Sequence, residues 1–186
     1  MRGTARSDII RGARTLRTGG AAVAIAALAM LSGCVTSKQS LFEASRAATP
    51  LDIGRYAEEK NEFGRWEKNA TVELSREGRL YRVRRDNGDI APEFTLHDAG
   101  DGSYVAVHVS VPDKEWMYGL FRKEASVVVY YELLCKDFRL VRMPSVLWPM
   151  IDGADCVYDD RRKLTQALLA YARVSHPDKR YVLLGR

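Results

Sequence analysis

His97, His108 and His176 are the chain's only histidines, and Cys34, Cys135 and Cys156 its only cysteines, so metal, thiol or imidazole chemistry must draw on these side chains. No two histidines stand at the i, i+4 spacing that places two imidazoles on one helix face. His108 falls between alternating valines and is expected on the solvent side of a strand, His97 at a hairpin end and His176 just past a helix; no metal site is expected. A Gly-x-Ser-x-Gly nucleophile elbow is absent from the sequence. The acidic stretches Asp86-Asn87-Gly88-Asp89 and Asp98-Ala99-Gly100-Asp101-Gly102 lack the alternating ligands and terminal glutamate of a calcium loop, and read as turns. Glycoside hydrolysis requires only two carboxylates, which leaves a hydrolase open as a third reading without supporting it.

The context of Cys34 is more specific. Arg2, Arg6, Arg11, Arg14 and Arg17 stand against the single acid Asp8, and Gly19-Gly20 then opens an apolar run from Ala21 to Leu31. A basic segment followed by a short apolar one reads as an export signal. The run is about half of the roughly 20 residues that a spanning helix needs. Leu31-Ser32-Gly33-Cys34 resembles the lipobox of bacterial lipoproteins. That resemblance implies cleavage between Gly33 and Cys34, a diacylglycerol on the Cys34 sulfur and an acylated new amino terminus. Two acyl chains already give stable anchoring, so three make it effectively permanent. Val35, where an aspartate would imply inner-membrane retention by the enterobacterial pattern, points to a periplasm-facing protein on the outer membrane rather than the inner one.

Three consequences follow from the resemblance. Removing residues 1–33 takes five arginines and one aspartate away, leaving 24 basic and 23 acidic side chains, so the formal charge of +5 belongs mostly to the leader. Without a basic excess the electrostatic footprint of nucleic-acid binding is missing. Once Cys34 is acylated, Cys135 and Cys156 have only each other in an oxidising compartment, and a disulfide between them is expected. With both sulfurs so used, no Cys–His pair remains for nucleophilic catalysis.

The elements that must carry these residues are mostly strands. Residues 34–50 are rich in Ser, Thr, Lys, Gln and Ala and read as a lipidated tether, which leaves 51–186 as a single domain. Gly54-Arg55-Tyr56, Gly78-Arg79-Leu80-Tyr81 and Gly102-Ser103-Tyr104 recur about 24 residues apart, the length of one β-hairpin. Val72 and Leu74, then Tyr81 and Val83, alternate with polar neighbours, and Asn87-Gly88 is a hairpin signal. Phe94 and Leu96 lead to a strand in which Val105, Val107, Val109 and Val111 alternate with Ala106, His108 and Ser110. Pro112-Asp113 ends it, and another strand is expected from Trp116 to Phe121. In 126–134, Val127, Val129, Tyr131 and Leu133 share one face and Val128 and Tyr130 the other, which predicts a strand covered on both sides. The cover is a helix over 159–173, capped by Asp159 or Asp160, with Leu164, Ala167, Leu168 and Tyr171 on one stripe. His176-Pro177-Asp178 stops it before a final strand from Tyr181 to Leu184.

Two groups are candidate contact surfaces. Arg161, Arg162 and Lys163 sit where the helix macrodipole disfavours cations, so either a nearby acid compensates them or an acidic partner does. Trp116, Met117, Tyr118, Phe121 and Trp148 serve either as core or, with Trp116 and Trp148 foremost, as an exposed aromatic interface.

Downstream of the lipobox, Phe94, Gly102-Ser103-Tyr104, the Tyr-rich strand ending in Cys135, and Cys156 ahead of Asp159 resemble small proteobacterial envelope lipoproteins. The lysozyme-inhibitor lipoproteins, with their Ser-Gly-x-x-Tyr loop, are not matched, because Gly102 precedes Ser103. The expected fold is mainly β (α+β): an antiparallel meander forming a curved sheet or small barrel, with a C-terminal helix packed on it. The expected function is noncatalytic, needing no cofactor: a membrane-anchored envelope lipoprotein acting through contact with an envelope protein or ligand. The alternative is a periplasmic carrier holding a small apolar ligand in a barrel cavity.

Overall fold

The computed structural model describes residues 34–109, 115–139, 143–153 and 155–185. The leader, Gly33 of the cleavage motif, and the readings at Ser110, Val111 and Pro112-Asp113 lie outside the described residues. Among the described residues no helix is long and apolar enough to cross a membrane.

The dominant feature is a ring of antiparallel strands. β1 is Val35–Ser37, β2 Gly54–Glu62, β3 Arg65–Glu77, β4 Leu80–Arg85, β5 Phe94–Gly100 and β6 Ser103–Val109. β7 is Trp116–Glu124, β8 Val127–Tyr131, β9 Met150–Asp152, β10 Asp155–Val157 and β11 Lys179–Gly185, and the single described α-helix, α1, is Arg161–Val174. β2 to β8 follow one another as a meander, and β11 inserts between β8 and β2, with Tyr181 opposite both Val128 and Glu58. The result is a closed eight-stranded barrel. Closure removes the free edges that a sheet of this length would otherwise expose. Two of the three Gly-Tyr repeats fall at hairpin turns, with Gly78 between β3 and β4 and Gly102 between β5 and β6, both at positive φ.

Period-2 alternation sorts side chains between two cores. Leu74, Tyr81, Phe94, Leu96, Phe121 and Val128 point into the barrel and form one cluster. Val105, Val107, Leu120, Val129 and Tyr131 point out of the same strands and are covered by Leu164, Ala167, Leu168 and Tyr171 of α1. The helix stripe is therefore the one read from the sequence, and the wall from β6 to β8 is buried on both faces. Asp160 is the cap, its Oδ1 accepting from the Lys163 amide at 2.7 Å. Burying a leucine completely contributes roughly 1.5–3 kcal/mol, so Leu164 and Leu168, neither exposed at all, hold this layer in place.

Residues 34–50 are not a tether. β1 pairs antiparallel with the first residues of β7 and parallel with β10, and β10 in turn pairs with β9. Val35, Phe42 and Ala47 are buried with the outer core or beside it. The following segment crosses one end of the barrel. Ala48 bridges Leu96 of β5, the Leu51 amide donates to the Tyr81 hydroxyl of β4 at 3.1 Å, Tyr56 of β2 donates to the Asp52 carbonyl at 2.6 Å, and Lys123 of β7 donates to the Pro50 carbonyl at 2.7 Å. A polar composition read as solvated coil is overridden because its few apolar residues plug openings that the barrel and helix leave.

The Asn87-Gly88 turn forms, but β4 and β5 meet in register only at Tyr81 and Phe94. Pro92 stands just before β5 and has no N–H to donate, so the ladder that begins at Arg84 and Ile90 breaks there. This is the weakest join in the ring.

Candidate functional site

The barrel interior holds a partly open cavity of about 330 Å³. Leu51 and its plug close one end, and the wall is apolar, formed by Leu74, Val83, Phe94, Phe121 and Val128. The other end is polar: Glu58, Arg85, His108, Glu132, Lys179 and Tyr181 all reach it. Ile90, Ala91 and Pro92, at the weak β4–β5 join, line it too. A volume near 300 Å³ is the lower range of small-ligand pockets, and an apolar wall with a few convergent polar groups is their usual chemistry.

Glu58 organises the polar end. The register of β2 against β3 slips between Glu58 and Glu59, leaving Asn69 as an extra residue on β3. A bulge re-aims the side chain it carries, and here the Asn69 amide donates to Glu58 Oε1. Oε2 accepts from the Tyr181 hydroxyl at 3.2 Å and from Arg85 at 3.4 Å. The Glu58 side chain is 1% exposed and that of Arg85 28%. Burial pushes the Glu58 carboxyl up, but the Asn69 bond, with Arg85 and Lys179, outweighs it and holds the group below its ordinary value. Glu58 is thus an anion inside the barrel. Burial and then the neighbouring Glu58 push the Tyr181 phenol well above its ordinary range, so it stays a donor.

His108 lines this cavity rather than facing solvent, and burial lowers its basicity. The expectation failed because β6 is covered on both faces, so alternation separated two interiors rather than an interior from water. His97 lies at 2% exposure outside the barrel wall, its Nε2 3.0 Å from the Thr95 hydroxyl and its ring 4.8 Å from that of Phe42. Burial and then the positive Arg161 lower its pKa to about 4. His176, just past α1, is not among the groups lining the cavity. Among the described residues no three His, Cys, Asp or Glu side chains converge as a ligand set.

Cys135 and Cys156 form a disulfide, which ties the turn after β8 to β10. Cys34 stands beside them in the sheet: its amide donates to Asp155 Oδ1 at 3.0 Å, and its carbonyl accepts from the Cys156 amide at 3.1 Å. Its thiol is pushed up by burial and by the acids Glu132, Asp155 and Glu115. Trp116 is partly buried against the outer core, of which Tyr118 and Leu120 are buried members, whereas Trp148 is 53% exposed. Val146, Met150 and Ile151 are exposed on the same stretch of chain. Arg161 lies 4.8 Å above the Phe42 ring, a cation–π contact that, with the Asp160 cap, offsets its unfavourable place at the helix start. Arg162 is exposed beside it.

The cavity residues Glu58, Arg85, Lys179 and Tyr181 escaped the sequence reading. A signal for two of them was present: Glu58 follows Tyr56, and Arg85 follows Tyr81 and Val83, at the two-residue spacing of the inward face. A charge in phase with an apolar face marks a buried polar site when the sheet closes on itself. No family model, curated protein or solved structure matches the chain.

Proposed function

We propose that this is a lipid-anchored envelope protein that binds a small ligand with an apolar body inside its barrel, without transforming it. The observation that carries the binding reading is the cavity of about 330 Å³, apolar along its wall and polar at one end. Of the two noncatalytic readings open from the sequence, the carrier is the one that this geometry favours. Anchoring rests on the leader and on Leu31-Ser32-Gly33-Cys34. Export and attachment to the periplasmic face of the outer membrane belong to the same proposal.

Binding is tested by titrating the full-length chain with an environment-sensitive apolar dye and displacing it with aliphatic compounds. Saturable displacement, abolished by Ala106→Leu in a variant that keeps its melting temperature, is expected, since Ala106 lines the cavity. Dye bound equally by both forms would place it elsewhere and sink the reading. For the anchor, a palmitate analogue fed to cells should label the protein, and Cys34→Ser should abolish the label; persistent labelling would refute the attachment.

A second reading, contact with an envelope partner, draws on the exposed Val146, Trp148, Met150 and Ile151, which adjoin the β9–β10–β1 sheet that begins at Cys34. A photoreactive residue at position 148, activated in intact cells, should crosslink to a defined protein or to lipid. Recovery of only uncrosslinked chain would dismiss it.

A further inference from the structure

The polar end of the cavity is unbalanced in its hydrogen bonding. Glu58 is well supplied with donors, from Asn69, Tyr181 and Arg85. Arg85 is not equally supplied with acceptors. Its Nε is buried without a hydrogen-bond partner, and its contact to Glu58, at 3.4 Å, is well beyond the roughly 2.7–2.9 Å of a good charge-assisted bond. A guanidinium offers five N–H donors in a flat fork, a geometry matched by a planar two-oxygen anion. Arg85 lines the cavity with a side chain that is 28% exposed, so an acceptor entering there can complete what the long Glu58 contact leaves weakly met.

The charged side chains at this end balance, two acids against two cations. Glu58 and Glu132 are the acids at this end, Arg85 and Lys179 the cations, and burial keeps His108 from adding a third positive charge near neutral pH. Lys179 holds its ammonium 5.8 Å from the Tyr130 ring centre, on the cavity wall. Glu58 already serves three donors, whereas Arg85 meets Glu58 only at 3.4 Å, so the guanidinium is the group with a strong contact left to make. Size is set by the apolar part: at water's share of about 30 Å³ per group, a cavity of about 330 Å³ holds on the order of ten heavy atoms.

Resting on the cavity reading above, we infer that the ligand is an anionic amphiphile of medium chain length, its carboxylate on the Arg85 fork beside Lys179 and its hydrocarbon tail between Phe94, Phe121 and Val128. The headgroup enters as a fourth member of the Glu58–Arg85–Tyr181 cluster, and the plug at Leu51 limits how far the tail runs. No covalent step is involved.

The test uses the full-length chain carrying Cys34→Ser, so that no acyl chain of its own competes, and three probes of one tail length: decanoate, 1-decanol and decylamine, titrated calorimetrically at pH 7.5. Decanoate is expected to bind at least tenfold more tightly than either of the others. Arg85→Gln should bring decanoate down to the level of decanol and leave decanol unchanged, with Arg85→Lys recovering part of the loss. Equal binding of acid and alcohol, or tighter binding of the amine to Glu132, overturns the headgroup inference and leaves the cavity reading standing. Failure of all three probes to bind overturns both. Should Arg85→Gln not fold, as judged by its melting curve, the ranking of the three probes on the parent cavity decides alone.

Discussion

Gly119 of β7 lies directly under the ring of Tyr130 on β8: a methyl at Gly119 would stand 2.5 Å from the Tyr130 hydroxyl oxygen and from a ring carbon. The backbone there is not in a glycine-only conformation, since Gly119 is not among the positive-φ residues. The constraint is space. Tyr130 packs against Phe121, ring centres 4.9 Å apart, so making room for the methyl means displacing the Tyr130 ring from that pair toward the cavity.

Gly119→Ala should therefore destabilise the fold by about 1–3 kcal/mol, the usual cost of overpacking a close-packed interior. Denaturant titration measures it. The double variant Gly119→Ala with Tyr130→Phe should recover part of the loss because the hydroxyl is one of the clashing atoms. A Gly119→Ala chain as stable as the parent would contradict the packing.

Glu58 makes stability depend on acidity in a known direction. Its folded-state carboxyl titrates below the unfolded value of about 4.3. The resulting stabilisation is complete above that value and is lost as pH falls through the lower folded one. Glu58→Gln should flatten the acid limb of a plot of unfolding free energy against pH. Glu58→Ala, which strips Asn69, Tyr181 and Arg85 of their shared acceptor, should cost roughly 3 kcal/mol at neutral pH.

His97 acts in a second, higher window. Its folded pKa of about 4 lies below an unfolded value of about 6.5, so the unfolded chain takes up a proton first as the solution is acidified. Stability is whole above about pH 6.5 and declines between there and about pH 4, by up to about 3 kcal/mol for the full separation. Imidazole NMR shifts that stay neutral down to pH 5 in the folded protein would bear this out; an ordinary titration near 6.5 would refute it.

The Cys135–Cys156 bond closes a loop with a sequence separation of 21, and by chain entropy it stabilises the fold by about 3 kcal/mol. Reduction should lower the denaturation midpoint accordingly. Cys156 is wholly buried, so without denaturant the reduction should be slow and should track opening of β10. Rapid reduction under native conditions would show that this sheet opens freely.

How far the site was legible depends on the range over which each residue's role is decided. The covered strand at Val127 to Tyr131, the stripe Leu164, Ala167, Leu168 and Tyr171, and the cap region at Asp159-Asp160 are patterns contained in a few turns or a few pleats, and they formed as read. Glycine turns separating short strands determined a meander for the same reason. His108 was misplaced because alternation says only that two faces differ, and burial of both follows from α1 on one side and a closed barrel on the other.

The sequence by itself determined the local elements and their inward and outward faces, because side-chain periodicity and turn chemistry act between near neighbours. Tertiary structure decided the rest. Tyr181 meets Glu58 across 123 positions only because β11 fills the gap between β8 and β2. Arg85 reaches Glu58 across the intervening β3 because the sheet curves, and residues 47–52 became a plug because closure of the ring left an end to fill. Such pairings depend on which edges and openings remain once everything else has packed, and no local pattern encodes that.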